Sequence, residues 1–219
     1  VVPFGKSKIT GVVWDEFEKK NNKDFKLKTI FKKLNVTPLK KTTIKFLNWF
    51  AEYNIIPKGM ALKLVLLSSN AVEISQKDAF NIFKTKIATN TIKLSDEQQK
   101  SLRKMNISNE QFRVHVLQGT TGSGKTIVYF SALKEIIKKG FQGLILLPEI
   151  GLTSQFEKKF LEFFGIVPAI WHSGISKKKK EIIWSGIANG EITVVIGARS
   201  SLFLPFNKLG LIIVDEEHD

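Results

Sequence analysis

The chain has 219 residues, 43% hydrophobic and 25% charged, enough for one or two globular domains. No apolar run nears the roughly 20 residues of a membrane span, and the first residues lack a basic-then-apolar pattern, so no membrane partner is expected. The absence of cysteine excludes disulfides and cysteine-held metals within this stretch and suits a cytoplasmic location.

The net charge of +14 is uneven. Residues 1–93 hold 18 lysines against 7 acids, whereas residues 94–219 hold 16 basic against 13 acidic residues. A basic N-terminal module suits contact with a phosphate backbone, where counterion release drives binding without sequence preference. The bland reading stands beside it: Arg103, Arg113 and Arg199 are the only arginines among 34 basic residues, so a lysine-biased composition gives the same charge without a DNA site.

Residues 1–14 read as β-structure broken by a Pro3-Phe4-Gly5 turn, and Phe25, Leu27 and Thr29 alternate like a half-buried strand. Thr42 or Thr43 is placed to cap a helix whose Ile44, Leu47 and Ala51 share a face, with Phe46 and Phe50 beside it. Pro57-Lys58-Gly59 is expected to end it. Trp49, Phe50 and Tyr53 stand at helical spacing, which favours ordinary core over the competing reading, a platform for stacking bases. Residues 68–93, rich in Ser, Asn, Lys and Thr, read as a linker between units 1–67 and 94–219.

In the second unit strand and helix patterns alternate, predicting an α/β fold with a parallel sheet covered on both faces. The apolar run Val114-His115-Val116-Leu117 reads as a strand leading into Gly119-Thr120-Thr121-Gly122-Ser123-Gly124-Lys125-Thr126, which fits G-x-x-x-x-G-K-[ST] at every required position. Glycines there let backbone N–H groups converge on phosphate oxygens, and the following helix adds its positive end. Lys125 is placed for the β- and γ-phosphates and the Thr126 hydroxyl for Mg²⁺, so ATP and Mg²⁺ are the implied cofactors. The helix uses Ile127, Phe130, Leu133 and Ile137 and stops at Lys138-Lys139-Gly140. A strand is expected over 144–147, then a helix carrying Phe156, Phe160 and Phe163. Ser176 is placed to cap a helix with Ile182, Ile183 and Ile187, whose lysine run 177–180 reads as a solvated turn. Two more buried strands follow, over 192–196 and 211–214, the second ending in Asp215-Glu216-Glu217-His218. A carboxylate at that strand end can hold Mg²⁺, and a second beside it can polarise water.

The order and spacing of these segments resemble the bacterial primosomal replication-restart helicases, the PriA family of superfamily 2. Leu94-Ser95-Asp96-Glu97-Gln98 is similar to the family's Q-type motif, and Leu147-Pro148-Glu149-Ile150-Gly151-Leu152-Thr153-Ser154-Gln155 to motif Ia, with Ser154 where proline is usual. His172-Ser173-Gly174 and the run from Ile196-Gly197-Ala198-Arg199-Ser200 to Phe206 resemble the motif Ib region, and Asp215-Glu216-Glu217-His218-Asp219 resembles motif II. Ile127 departs from the glutamate that often follows the P-loop threonine. Val1-Val2-Pro3-Phe4-Gly5-Lys6 with Gly11-Val12-Val13 resembles the family's small β-rich domain for a DNA 3′ end, and Trp49-Phe50-Ala51-Glu52-Tyr53 a helix at its end. The winged helix of full-length relatives has no room in 68–93, so it is expected absent or vestigial.

The resemblance implies an ATP-dependent 3′-to-5′ DNA helicase coupling ATP hydrolysis to translocation and fork remodelling. Its partners would be single-stranded and forked DNA, the primosome and single-stranded-DNA-binding proteins. Position by position, Gln98 would read adenine, and residues 119–126 would hold phosphates and metal. Asp215 would bind Mg²⁺ and Glu216 activate water, His218 would couple nucleotide state to the DNA grip, and Arg199 and Ser200 would touch the DNA backbone. Bland alternatives stay open: Gln98 as a surface residue, His218 bonded to a strand-end carbonyl, Arg199 in an ion pair. The family's zinc cysteines would fall beyond Asp219. The chain is expected to be a fragment with negligible activity alone, its sheet missing the strand that follows motif II and sits between the P-loop and motif II strands. An inactive DNA-binding remnant and another superfamily 2 translocase are the alternatives.

Overall fold

The structure, a computed structural model, describes residues 1–4, 6–14, 28–34, 38–66, 93–107, 111–120, 122–148 and 154–215. It opens on a two-stranded antiparallel hairpin, β1 (Val2–Phe4) against β2 (Ser7–Ile9), pairing Val2 with Ile9 and Phe4 with Ser7. Pro3 and Phe4 therefore belong to a strand rather than to the turn; a two-stranded ribbon has only edges, where proline is tolerated. The Phe31 N–H donates to the Val1 carbonyl at 3.0 Å, tying the next described segment to the hairpin. Of the strand expected at Phe25, Leu27 and Thr29, the first two lie outside the described residues and Thr29 carries no strand pairing.

Helices α1 (Lys41–Tyr53) and α2 (Lys58–Val65) pack through Leu47, Ala51, Ala61 and Val65, all buried. Lys40 is the N-cap of α1 and makes no side-chain cap, so Thr42 and Thr43 lie inside the first turn instead of capping it. Pro57 opens α2 rather than merely ending α1, because a residue without N–H loses nothing where that group would be unpaired. Residues 67–92, and with them nearly all of the expected linker, lie outside the described residues.

The second part carries four parallel strands, β3 (Gln142–Leu146), β4 (Ala169–Trp171), β5 (Val194–Gly197) and β6 (Leu209–Val214), in the order β4-β5-β3-β6. The helices are α3 (Asp96–Lys104), α4 (Lys125–Lys138), α5 (Ser154–Phe164) and α6 (Lys177–Ala188). Alternation along the strands sorts the core into two layers. Ile145, Ile170, Ile196 and Ile213 pack with Leu133 and Ile137 of α4 and with Phe160, Phe163 and Phe164 of α5. Leu144, Trp171 and Val195 pack with Ile183, Trp184 and Ile187 of α6. Phe130 is the hub of the first layer, meeting the rings of Phe156, Phe160, Phe163 and Phe164 edge-on at centroid separations of 5.3–5.8 Å. The α/β fold with a parallel sheet, preceded by a small β-containing unit, is thus as expected. Ser176 caps α6 by accepting from the Lys179 N–H at 3.3 Å, also as expected.

One expected strand does not pair. Residues 114–117 are in no ladder, with Val114 78% and Val116 86% exposed, so the P-loop lacks the sheet strand read from its apolar run. A strand persists only where another answers its N–H and C=O groups. Among the described residues β6 pairs on one side only, with β3, and its Ile212 and Val214 are exposed.

A saturated buried amide sets the register of β6. The Gln142 side chain donates to the Ile187 and Ile192 carbonyls at 3.1 and 2.7 Å and accepts from the Asn207 and Lys208 N–H groups at 2.7 and 2.8 Å. It clamps the end of α6 to the entry of β6. The two parts of the chain also touch: the Trp184 indole donates to the Val65 carbonyl at 2.6 Å, and Phe203 packs edge-on against Phe50 at 4.9 Å.

Candidate nucleotide-binding site

Parallel strands put all their C-terminal ends on one edge of the sheet, where α/β folds bind ligands. Three segments converge there. The first is the loop before α4. Gly122 and Gly124 both have φ of +81°, a left-handed conformation that side chains with a Cβ resist, and Gly124 is the N-cap of α4. A Cβ on Gly119 would lie 2.6 Å from the Ser123 Oγ, so a side chain there would force the serine hydroxyl to turn away. Lys125 folds back into the loop, its ammonium donating to the Gly119 and Thr120 carbonyls at 2.6 and 3.2 Å. An ammonium beside the positive end of a helix can pair with an anion. These residues fit a nucleotide phosphate. Thr121 lies outside the described residues.

The second is the end of β6. The Asp215 N–H continues the ladder to the Leu146 carbonyl at 3.1 Å, and the Tyr129 hydroxyl donates to the Asp215 Oδ2 at 2.7 Å. Tyr129 stands four residues after Lys125 and three after Thr126, hence one turn along the same side of α4. That bond brings the expected metal carboxylate to the start of the P-loop helix. Sequence reasoning missed Tyr129, taking the helix face as Ile127, Phe130, Leu133 and Ile137. The available signal was an aromatic hydroxyl at i+4 from the P-loop lysine. Glu216 and His218 lie outside the described residues.

The third is the start of α3. Ser95 and Gln98 form a reciprocal capping box, Ser95 Oγ accepting from the Gln98 N–H at 3.3 Å and Gln98 Oε1 from the Ser95 N–H at 3.0 Å. The Gln98 Nε2 then donates to the Ser123 carbonyl at 3.4 Å, docking the Q-type segment on the P-loop backbone. Both ends of the amide proposed to read adenine are engaged by protein groups. The groove of about 490 Å³ between α3 and α4, lined by Arg103, Glu135 and Lys139, is at the far end of α4 and stands apart from this site.

Arg199 and Ser200 open a 3₁₀ turn (Arg199–Phe203) directly after β5, and both are exposed. β5 and β6 flank β3, so this turn and Asp215 sit on the same sheet edge about 10 Å apart, two strand spacings. A Cβ on Gly197 would lie 2.6 Å from the Trp171 carbonyl oxygen, so the turn is pressed against β4. Most of the motif Ia segment, residues 149–153, lies outside the described residues.

Comparison with known proteins agrees with this geometry. Residues 81–219 match the model of the DEAD/DEAH box helicase family, and residues 1–67 match that of the PriA 3′ DNA-binding domain. The chain belongs to the DEAD/DEAH box helicase family, in its PriA group. It is 40% identical over 225 residues to the replication restart protein PriA of Rickettsia conorii, covering 100% of this chain and 33% of the relative. Against the PriA of Rickettsia prowazekii it is 39% identical over 224 residues, again covering 33% of the relative. The PriA of Bacillus subtilis is 39% identical over 133 residues, covering 60% of this chain and 16% of that protein. The chain thus spans about a third of the length of the Rickettsia relatives.

Proposed function

We propose that this chain supplies the nucleotide-binding and DNA-binding parts of an ATP-dependent DNA helicase of the replication-restart primosome, working in the 3′-to-5′ direction on single-stranded and forked DNA. The observation that carries the reading is the Tyr129–Asp215 bond, which joins the motif II carboxylate to the P-loop helix. Bound Mg-ATP supplies the phosphoanhydride whose hydrolysis drives movement. Lys125, now bonded to the Gly119 and Thr120 carbonyls, would hold phosphate oxygens together with the N–H groups at the start of α4. The Thr126 hydroxyl and the Asp215 carboxylate would hold Mg²⁺, with the Tyr129 hydroxyl, which donates to Asp215, fixing the carboxylate. Glu216 orients the attacking water, Gln98 borders the adenine, and His218 relays nucleotide state to the DNA grip. Arg199 and Ser200 bind the DNA backbone, and the match of residues 1–67 to the 3′ DNA-binding domain supports a second DNA contact there. Primosome and single-stranded-DNA-binding proteins are the proposed protein partners.

The test is fluorescence anisotropy of a fork with a free 3′ end, titrated with the chain at several salt concentrations. Binding that weakens steeply with salt, and changes when Mg-ATP is added to wild type but not to Lys125→Ala, supports the proposal. Binding insensitive to both salt and nucleotide would sink it.

A further inference from the structure

The expectation that the α1 aromatics are ordinary core holds for one side of the helix only. Leu47 and Ala51 are buried against α2, whereas Trp49 is 55% and Tyr53 74% exposed. Their rings are stacked, 5.3 Å between centroids and 24° between planes, and Phe46 lies 6.0 Å from Trp49 at 26°. Lys41, Lys45, Trp49 and Tyr53 follow one another at i+4, a single row along the helix, two cations leading into two stacked rings. Glu52 lies near the far end of this face and is the one acid of α1. The other end of the ladder runs into the second part of the chain. Phe46 is 5.5 Å from the ring of Phe203, the last residue of the turn that begins with Arg199 and Ser200.

We infer that this stripe is a base-stacking surface for single-stranded DNA, extending the track that starts at Arg199 and Ser200. Exposed aromatic rings accept bases of any sequence, and adjoining lysines meet the phosphates between them. The composition agrees, since residues 1–93 hold 18 lysines against 7 acids. Phe203, packed on Phe46 and Phe50, links the turn after β5 to α1, so a strand gripped at Arg199 passes next to Trp49. The inference rests on the DNA-binding reading above and adds to it a place where bases, rather than phosphates, are held.

The test uses an oligonucleotide carrying 2-aminopurine, whose fluorescence falls when the base stacks. Wild type, Trp49→Leu and Tyr53→Leu are compared for single-stranded and blunt duplex binding, with circular dichroism to check folding. The expected result is quenching by wild type, and single-strand affinity reduced about tenfold in each variant. The salt slope and the duplex affinity should stay unchanged, because phosphate contacts remain. Wild-type binding without quenching, or variants that bind single strands as tightly as wild type, would overturn the stacking surface and leave the DNA-binding reading intact. No DNA binding by wild type would overturn both. Unaltered DNA affinity with a change in sedimentation or thermal stability would assign the stripe to protein packing instead.

Discussion

Replacing Gln142 by glutamate tests how the fold holds Asp215 in place. The side chain is 2% exposed, and the substitution preserves its shape and its acceptor oxygen for Asn207 and Lys208. It removes both protons donated to the Ile187 and Ile192 carbonyls, which are buried bonds. Each buried polar group left unpaired costs about 1–3 kcal/mol, so two carbonyls cost roughly 4 kcal/mol. In a chain of this size that is a fall in Tm of about 8–16 °C. The loss should depend on pH. Burial and two facing carbonyls oppose the charge and raise the carboxyl above its usual value of about 4.3. The folded state then binds more protons than the unfolded state between those two values, so the variant loses stability as pH rises through that window. Below it, a protonated carboxyl donates again to one carbonyl. Thermal unfolding of wild type and Gln142→Glu at pH 5 and pH 8 gives the comparison. A Tm within 2 °C of wild type, or an equal deficit at both pH values, would refute the reasoning. Because Asn207 and Lys208 lead into β6, the variant should also bind nucleotide with weaker dependence on Mg²⁺.

Tyr129→Phe keeps the packed ring and removes the hydrogen bond to Asp215. Nucleotide binding without Mg²⁺ should be unchanged, while the tightening produced by Mg²⁺ should fall about tenfold, as losses of groups supporting a metal ligand do; a titration with and without Mg²⁺ decides it. Trp184→Phe strands the Val65 carbonyl and should cost about 1–3 kcal/mol in chemical denaturation, whereas a loss under about 0.5 kcal/mol would mean the contact between the two parts is idle. Gly197→Ala forces a methyl against the Trp171 carbonyl and Ser201, and should cost about 1–3 kcal/mol while also lowering DNA affinity through the displaced Arg199 turn. Unchanged affinity in a folded Gly197→Ala protein would remove Arg199 and Ser200 from the DNA track.

The candidate nucleotide site was readable because its chemistry is local. Eight consecutive residues place glycines, lysine and threonine by spacing alone, and the strand ending at Asp215 follows from one apolar run. The two layers of the sheet were readable for the same reason, since Phe156, Phe160 and Phe163 mark one helix face by period. Tyr129 was not, because its partner stands 86 residues away and the tyrosine looks like one more core ring. Gln142 was not, because a buried amide is meaningful only once all four of its partners are assembled. The strand expected over 114–117 failed for a related reason: an apolar run reports willingness to pair, and pairing needs a neighbour. Trp49 and Tyr53 show the limit of periodicity. Helical spacing puts them beside Phe46 and Phe50 but leaves open which side of α1 faces α2, and two of those four rings end in solvent.

The central claim is that residues 119–126 and Asp215 form one Mg²⁺-dependent nucleotide site. The direct measurement is titration of a fluorescent ATP analogue into wild type and Lys125→Ala, each with and without Mg²⁺, with circular dichroism confirming that both are folded. Removing the ammonium deletes a charge-assisted phosphate contact, so the account predicts Mg²⁺-dependent binding by wild type and an affinity at least about tenfold lower in the variant. Equal binding by the two proteins, or wild-type binding indifferent to Mg²⁺, would contradict it.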